Sequence, residues 1–292
     1  MVQAEQGRGY RLSQPTELLD HELVCDALDD ASRDRLESLE VLWQTSSTSD
    51  YLMQQPAASP GHSRVCLAEF QTDGRGRRGR SWFAAAGHGI CLSLSWSFAT
   101  SPQQLSCLGL AAGIGVLRAA RAAGATQAQL KWPNDVVVAG QKLAGVLIDV
   151  RGEAGGPMRA VVGVGLNYRL PELAVEKVLA AGGLQPAALV NAEQPAILSR
   201  NETAAALVSE LQQVLQEFAL EGFSALAPTW RDADYLWGKA VTVVTDNGEV
   251  SGNVKGIAAD GRLQLETKNG IMQFTTGDVS VRAADRLPTD KF

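Results

Sequence analysis

The chain has 292 residues, of which 45% are hydrophobic and 20% charged, and it carries a net charge of −6. These values predict a folded protein of about two domains and exclude a disordered chain or a disulfide-stapled miniature. The acidic balance also argues against a protein that coats nucleic acid, because such a surface has to be basic.

The first third of the chain predicts short strands that alternate with helices. Residues 7–12, GRGYRL, are typical of a hairpin fragment. Apolar residues recur at helical spacing over 17–36. The side-chain oxygens of the run SSTS, residues 46–49, are expected to cap the helix that follows them. Strands are predicted at 40–44, 65–70 and 90–96.

The rest of the chain predicts a sheet covered by helices, followed by a small β domain. An alanine-rich helix is expected at about 102–123, and then four short strands at 129–132, 135–138, 142–150 and 160–167. Apolar spacing predicts helices at 202–221 and 223–231. Five alternating runs between 240 and 282, separated by Asn-Gly and Asp-Gly turns, are typical of a small closed barrel. A domain boundary is therefore predicted near Trp237 and Gly238.

A loop rich in arginine and glycine connects two of the predicted strands. It reads QTDGRGRRGRSW at residues 71–82 and has four arginines within six residues, namely Arg75, Arg77, Arg78 and Arg80. Glycines let the backbone approach a ligand and guanidinium groups bind carboxylate and phosphate, so an anion site is favoured. No helix is predicted after the loop, which argues against a dinucleotide or phosphate-loop fingerprint. A solvated basic loop and a nucleic-acid loop stay open.

A second polar cluster is the turn KWPND at residues 131–135. It combines a basic group, a stacking ring, a rigid bend and an amide–carboxylate pair between two predicted strands, although ordinary turn residues would look similar. Lys142 is expected on the neighbouring strand, where Gly145 leaves room for a close neighbour. The run GVGLN, residues 163–167, ends another strand with an amide that is suited to hydrogen-bond a heterocycle.

Metal, nucleophile and membrane motifs are not found in the sequence. The four cysteines and three histidines lack metal-ligand spacing, and no serine lies in a nucleophile elbow such as GxSxG. No apolar stretch approaches the ~20 residues of a membrane span, and the N-terminus has no apolar signal core. Neither a structural zinc ion nor a serine triad is expected, and the expected location is the cytoplasm.

In this order and at these spacings, QTDGRGRRGR, KWPND, KLAG and GVGLN resemble the biotin protein ligase family, in particular the bacterial type that also represses the biotin operon. The resemblance implies an α+β fold with a central mixed or antiparallel sheet covered by helices, the class II synthetase-like catalytic domain of these ligases. A small C-terminal SH3-like β-barrel is also implied. The implied domains are a wing remnant at 1–15, the catalytic domain at 16–237 and the barrel at 238–292.

The resemblance also implies an activity. Such ligases use ATP with Mg²⁺ to activate biotin as biotinyl-5′-AMP, release pyrophosphate, and transfer biotin to a lysine of a biotin carboxyl carrier protein, as in acetyl-CoA carboxylase. The first step brings two anions together, so fixed positive charges are expected near the reacting atoms. The loop at residues 73–80 is expected to become ordered over the adenylate and to shield it from water.

Matching positions give the implied site residues. Lys142 is expected to bridge the biotin carboxylate and the α-phosphate, and Asp135 to contact Mg²⁺ or accept the proton of the acceptor amine. Mg²⁺ is expected to arrive with ATP, without a metal site of the protein's own. The implied catalytic residues are Lys142, Arg77 and Asp135. The implied biotin contacts are Ser47, Thr48, Ser49, Gln71, Gly74, Arg75, Gly76, Arg77, Lys142 and Gly145. The implied ATP contacts are Arg78, Arg80, Trp82, Lys131, Asn134, Asp135, Asn167 and Arg282.

Two features depart from the family pattern. The family often has Asp-Ser-Thr-Asn where this chain has SSTS, so Ser49 keeps a hydroxyl but lacks the amide, which is expected to alter biotin affinity. Repressor-type members carry a complete winged helix, whereas only a last strand of the wing is matched here, so DNA binding is not expected. A biotin-responsive repressor and a lipoate ligase are the alternative functions. Sheet pairing through residues 145–150 would allow a homodimer.

Overall fold

The computed structural model describes the backbone of residues 2–5, 9–12, 16–99, 105–152, 157–180, 185–190, 197–245, 248–275 and 280–283. Side chains are described for 16–99, 105–152, 157–180, 185–190, 197–244 and 248–275. The strands are β1 (Val2–Glu5), β2 (Gly9–Leu12), β3 (Leu36–Thr45), β4 (Ser63–Gln71), β5 (Gly89–Phe98), β6 (Gln129–Lys131), β7 (Asp135–Val138), β8 (Gln141–Arg151), β9 (Met158–Asn167), β10 (Ala240–Thr245), β11 (Gly248–Ile257), β12 (Leu263–Thr267), β13 (Gly270–Phe274) and β14 (Ser280–Ala283). The helices are α1 (His21–Asp26), α2 (Asp30–Asp34), α3 (Thr48–Gln54), α4 (Leu108–Ala122), α5 (Glu172–Ala180), α6 (Arg200–Glu221) and α7 (Phe223–Ala233).

The central sheet has the strand order β3-β4-β5-β9-β8-β7-β6. The β3–β4 pair is parallel and the other neighbouring pairs are antiparallel, which confirms the predicted mixed sheet. Side chains alternate along β9, so that Val162 and Leu166 lie on one face while Gly163 and Gly165 lie on the other. The apolar face is the one that packs on helices, and the glycine face has room above it.

Helices α4, α6 and α7 pack together and cover the apolar face of the sheet. Gly115 lets α4 approach α6 closely, because a Cβ there would lie 3.1 Å from the Glu210 carbonyl oxygen. Helix α3 lies on the opposite face, where Leu52 packs with Cys66 and Val161. This short helix covers only part of that face, and the remainder borders a cleft.

Two helix starts differ from the sequence prediction. Ser47 is the N-cap residue of α3 but makes no side-chain cap hydrogen bond. The next two hydroxyls, of Thr48 and Ser49, bond instead to Ser93 of β5. The capping prediction is therefore wrong, because contacts across the sheet compete with the local cap. Helix α4 begins at Leu108, later than predicted, and residues 101–104 lie outside the described ranges.

The helices in the N-terminal part of the chain are shorter than predicted. The stretch at 17–36 is two short helices, because Asp29 accepts a hydrogen bond from Ser32 N at 2.6 Å and starts a second helix. Before them, β1 and β2 pair as an antiparallel hairpin, which agrees with the predicted hairpin fragment. None of the helices within the described ranges is long and apolar enough to cross a membrane.

The C-terminal strands form a second antiparallel sheet, in the order β13-β12-β11-β10-β14, and confirm the five predicted strands. The turn between β11 and β12 packs against the central-sheet unit. The indole Nε1 of Trp132 donates to the Gly261 carbonyl oxygen at 3.0 Å. Gly261 has φ +81°, and a Cβ there would lie 3.0 Å from the Cys107 Sγ atom. The KWPND turn is therefore in direct contact with the C-terminal sheet.

A buried carboxyl group lies at the junction between the two sheets. Asp234 ends α7, and its Oδ1 accepts a hydrogen bond from Leu236 N at 2.9 Å. Its Oδ2 is buried and has no hydrogen-bond partner among the described residues. Burial raises the pKa of Asp234 from 3.8 to about 6, against the lowering effects of the Leu236 hydrogen bond and of Lys239.

Asp234→Asn should stabilise the protein at pH 8. The native state binds the Asp234 proton more tightly than the unfolded state, so this carboxyl's contribution to the free energy of unfolding falls as pH rises from about 4 through about 6. The amide keeps the acceptor for Leu236 and removes the buried charge. We expect a gain of about 2–3 kcal/mol at pH 8 that disappears near pH 4, measured by denaturant unfolding. The exposed control Asp232→Asn should leave the free energy of unfolding unchanged at both pH values. An Asp234→Asn variant whose effect is the same at pH 4 and pH 8, or that is no more stable at pH 8 than the Asp232→Asn control, would contradict this assignment.

Candidate active site

A cleft of about 840 Å³ opens on the glycine face of the central sheet. Strands β8 and β9 form its floor, and its walls come from the arginine-rich loop, the KWPND turn, the start of α3 and part of α5. The cleft brings together residues that are far apart in the sequence. Those predicted from the sequence and found in its lining are Ser47, Thr48, Ser49, Gln71, Arg75, Gly76, Arg77, Arg78, Arg80, Trp82, Lys131, Asn134, Asp135, Lys142, Gly145 and Asn167.

The arginine-rich loop connects β4 and β5 and folds back on itself as a short hairpin. Gly76 N donates to Arg80 O at 2.6 Å, and Trp82 N donates to Gly74 O at 2.7 Å. At its tip Arg78 has the left-handed φ of 59° within the 3-10 turn Arg77–Gly79. A Cβ on Gly74 would lie 2.4 Å from the Trp82 carbonyl oxygen. Gly74, predicted as a biotin contact, therefore belongs to the stem of the hairpin and is not among the cleft-lining residues.

Two carboxylates anchor the loop through Arg75. The Arg75 Nη2 atom lies 2.6 Å from Asp50 Oδ1 on α3 and 3.2 Å from Asp149 Oδ2 on β8. Neither carboxylate belongs to a motif, so sequence reasoning did not select them. Arg77 Nη1 donates to Asn134 Oδ1 at 3.4 Å, so the loop also contacts the KWPND turn. These contacts hold the guanidinium groups at the edge of the cleft.

The KWPND turn joins β6 and β7, and this hairpin places Lys131 directly opposite Asp135. Asn134 fixes the turn to β8, since its Nδ2 donates to Val146 O at 2.7 Å and its own carbonyl accepts from Val146 N at 2.9 Å. Burial lowers the pKa of the Lys131 ammonium, and Asp135 opposes that shift. An ammonium that has lost part of its hydration favours an anionic ligand beside it.

Lys142 lies at the centre of the polar contacts in the cleft. Its Nζ is 2.7 Å from Asp135 Oδ1 and 5.4 Å from the centroid of the Trp82 ring. A Cβ on Gly145 would lie 3.0 Å from Lys142 Nζ, so the glycine makes room for the lysine side chain. The Lys142 backbone is held as well, because its N donates to Gln185 O at 3.2 Å. Both the main chain and the ammonium of Lys142 are thus held in place.

The predicted glycines of β9 do clear space, and protein side chains occupy it. A Cβ on Gly165 would lie 2.1 Å from Trp82 Cε2, and one on Gly163 would lie 2.8 Å from Ser49 Oγ. The Trp82 Nε1 atom is buried and has no hydrogen-bond partner within the described ranges. A buried N–H without a partner is costly, so a ligand acceptor next to the indole would be favourable.

Other residues complete the site or fall outside it. Asn167 donates from Nδ2 to Lys142 O at 3.2 Å and to Ala187 O at 3.0 Å, so its amide nitrogen holds backbone. Arg282 lies on β14 opposite Thr242, and its side chain lies outside the described residues. Lys177 of α5, which sequence reasoning missed, also lines the cleft, with Nζ 4.6 Å from the Phe83 ring centroid.

The far end of the cleft is lined by hydroxyl groups. Ser47, Thr48 and Ser49 are buried there beside Gln71. Behind them lies Ser93 of β5, whose hydroxyl is fully buried and which sequence reasoning also missed. No motif marks Ser93; only the pairing of Gly163 with Ser93 across β9 and β5 places it at this end of the cleft.

Profiles of two known families match the chain. The Biotin/lipoate A/B protein ligase family matches residues 41–167, which contain the arginine-rich loop, the KWPND turn and Lys142. The Biotin protein ligase C terminal domain matches residues 237–282, which contain the second sheet. The second matched range begins at Trp237.

Individual relatives and a solved structure agree with these matches. The bifunctional ligase/repressor BirA of Escherichia coli (strain K12) is 32% identical over 282 residues, 96% of this chain and 83% of that protein. The biotin--[acetyl-CoA-carboxylase] ligase of Mycobacterium tuberculosis is 34% identical over 251 residues, 82% of this chain and 88% of that protein. The biotin protein ligase from Aquifex aeolicus, solved in complex with biotin and ATP, shares the fold with a TM-score of 0.64 at 22% identity, over 85% of this chain and 100% of that chain. The chain therefore belongs to the biotin protein ligase family.

Proposed function

We propose that this protein is an ATP-dependent ligase that activates biotin as biotinyl-5′-AMP and transfers it to a lysine of a carrier protein. The observation that carries the proposal is the position of Lys142, whose Nζ lies in the cleft 2.7 Å from Asp135 Oδ1. The same cleft is lined by Arg77, Arg78 and Arg80. This is a concentration of positive charge suited to two anions that have to meet.

In the first step, a biotin carboxylate oxygen attacks the α-phosphorus of ATP and pyrophosphate leaves. Two unit negative charges 4 Å apart repel by about 4 kcal/mol at an effective dielectric constant of about 20. Lys142 lowers this repulsion because Asp135 holds its ammonium in place before the substrates arrive, and Gly145 leaves room for it. Lys131 and Arg77, which also line the cleft, add charge for the phosphates.

In the second step, the neutral amine of an acceptor lysine attacks the biotinyl carbonyl carbon and AMP leaves. This step depends mainly on bringing the amine to the adenylate in the correct orientation. Asp135 is the carboxylate in the cleft wall that we assign to the departing amine proton. The Mycobacterium tuberculosis relative is named for acetyl-CoA carboxylase, which supports a biotin carboxyl carrier protein as the acceptor.

Mg²⁺ fits the proposal as a companion of ATP. Among the described residues, no group of three or more His, Cys, Asp or Glu side chains is arranged to hold a metal ion. Mg²⁺ commonly binds through one or two carboxylates together with substrate phosphates and water. Asp135, at the wall of the cleft, would hold the ion as the alternative to its role with the amine proton, and the ion would neutralise phosphate charge there.

The proposal is tested by pyrophosphate release from the purified chain with Mg-ATP. Biotin is added in one arm and lipoate in another, and a biotin carboxyl carrier domain follows. We expect release that depends on biotin, and a carrier that gains the mass of one biotinyl group. Release with lipoate but not biotin would overturn the biotin assignment. Release with biotin and no carrier modification would overturn the transfer step.

We also propose a homodimer formed through β8. Strand β7 pairs with β8 only as far as Gly145, and from Leu147 to Arg151 its partner strand within the described ranges is β9 alone. This leaves a strand edge at the predicted residues, and such edges favour pairing with a second chain. Light scattering with biotin and ATP present should report a dimer; a monomer at every concentration would contradict the proposal.

A further inference from the structure

Four polar side chains form a continuous hydrogen-bonded chain at the hydroxyl-lined end of the cleft. Ser49 Oγ lies 3.0 Å from Ser93 Oγ, and Ser93 Oγ lies 2.7 Å from Thr48 Oγ1. Thr48 Oγ1 lies in turn 3.2 Å from Gln71 Oε1. Thr48, Ser49 and Gln71 line the cleft, whereas Ser93 lies behind them with no exposed surface.

The backbone N–H of Thr48 determines which atom donates in each of these side-chain hydrogen bonds. Thr48 N is 2.8 Å from the Gln71 amide and has only a hydrogen to offer, so the Gln71 atom facing it is the carbonyl oxygen. That oxygen carries no hydrogen, and the Thr48 hydroxyl therefore donates to it. Having used its one hydrogen, Thr48 accepts from Ser93, and Ser93 by the same argument accepts from Ser49.

With the hydrogen bonds donated in this direction, the hydroxyl oxygens can offer a ligand only their lone pairs. Ser49 and Thr48 have both committed their hydrogens to the protein, so towards the cleft they act as acceptors. Gly163 gives the Ser49 hydroxyl room at this end of the cleft, because a Cβ there would lie 2.8 Å from Ser49 Oγ. This end of the cleft is therefore complementary to a ligand that presents N–H donors.

We infer that Ser93 is a positioning residue for substrate specificity, which makes Thr48 and Ser49 acceptors for the N–H groups of a cyclic urea. The inference rests on the proposed function, since biotin is the substrate whose fused ring carries two such N–H groups. The dithiolane ring of lipoate has no N–H and would leave both acceptors without partners. Sites built around hydrogen bonds reject ligands that leave those bonds unmade far more strongly than apolar pockets reject an extra methylene.

The test compares Ser93→Ala with Ser97→Ala in the full chain. Ser97 lies on the same strand, but its hydroxyl donates to Ala58 O at 2.7 Å, away from the cleft. We expect Ser93→Ala to raise the dissociation constant for biotin at least about 10-fold, with the KM for ATP unchanged. Lipoate, measured by competition, should change little, so that the ratio of biotin to lipoate affinity falls. Ser97→Ala should match the wild type.

Two further variants separate positioning from loss of structure. Ser93→Cys keeps a small buried side chain with a weak donor, and it should show the same selective loss if Ser93→Ala folds poorly. If Ser93 acts through Ser49, the double variant Ser49→Ala/Ser93→Ala should lose less than the sum of the two single changes.

Three results would overturn the inference. They are wild-type biotin affinity in Ser93→Ala and Ser93→Cys, equal losses for biotin and lipoate, and strictly additive losses in the double variant. A wild-type chain that binds no biotin would overturn the proposed function as well. A wild-type chain that binds biotin, with Ser93 variants that do not differ from it, would overturn this inference alone.

Discussion

Lys142→Ala is expected to reduce biotin-dependent pyrophosphate release by a factor of about 100 to 1,000. The ammonium lies in the cleft, 2.7 Å from Asp135 Oδ1, and its backbone is held by residues 185–187. Removal of one preorganised charge or donor aimed at the reacting centre typically costs about 3–4 kcal/mol of barrier. The loss should appear in kcat more than in KM for ATP, because the charge matters most where the two anions meet.

A control for this result is Lys255→Ala. Lys255 lies on β11, with Nζ 2.8 Å from Glu266 Oε2 at the surface, so its loss should leave pyrophosphate release unchanged. Lys142→Gln keeps the length of the side chain without its charge and should be nearly as slow as Lys142→Ala. Near-normal release by Lys142→Gln would show that the charge is not what the site requires.

Arg200→Met is expected to lower the free energy of unfolding by about 3–5 kcal/mol. Arg200 is fully buried at the start of α6, with Nη1 2.6 Å from Glu69 Oε1 and Nη2 2.6 Å from Gly89 O. Glu69 also accepts a hydrogen bond from Gly87 N at 2.8 Å, where the arginine-rich loop returns to β5. Without the guanidinium, the buried Glu69 carboxyl group loses its ion-pair partner, and no other described residue forms a salt bridge with it.

The double variant Glu69→Gln/Arg200→Met separates an ion-pair effect from a packing effect. It removes both charges, and it should recover a large part of the stability lost in Arg200→Met when both are measured by denaturant unfolding. Arg231→Met, at an exposed pair with Asp232, should change stability by less than about 0.5 kcal/mol. A double variant that is no more stable than Arg200→Met would argue that the arginine is needed for its packing and backbone contacts.

The main chemical groups of the site were predictable from the sequence because they occur in short motifs. Arg77, Asp135 and Lys142 each lie in or next to a run whose residue types already indicate anion binding or a tight turn. Antiparallel neighbours then bring those runs together, as KWPND and Lys142 show on β6, β7 and β8. The KWPND turn and Lys142 are close in the sequence and lie on neighbouring strands, so their positions in the sequence already indicate that they are close in the structure.

Contacts between distant strands and helices were not predictable in this way. Asp50 and Asp149 hold Arg75, and Ser93 lies behind Thr48 and Ser49, yet none of these partners belongs to a motif. The hydroxyl run before α3 illustrates the reason. Its local pattern predicts a helix cap, but two of its side chains bond across the sheet to Ser93 instead. A local preference worth about 1 kcal/mol is readily outweighed by contacts that form only in the folded chain.

By itself, the sequence determined a sheet covered by helices, the five C-terminal strands, the arginine-rich loop and the residue types of the site, because hydrophobic periodicity and turn chemistry are local properties. The mixed character of the sheet was implied only by the family resemblance. Only the tertiary structure decided which side chains form hydrogen bonds with each other, which glycines leave room for Trp82 and Ser49, and that Trp132 donates to Gly261. Those contacts depend on strand register and on packing between layers, which join residues that no sequence window contains together.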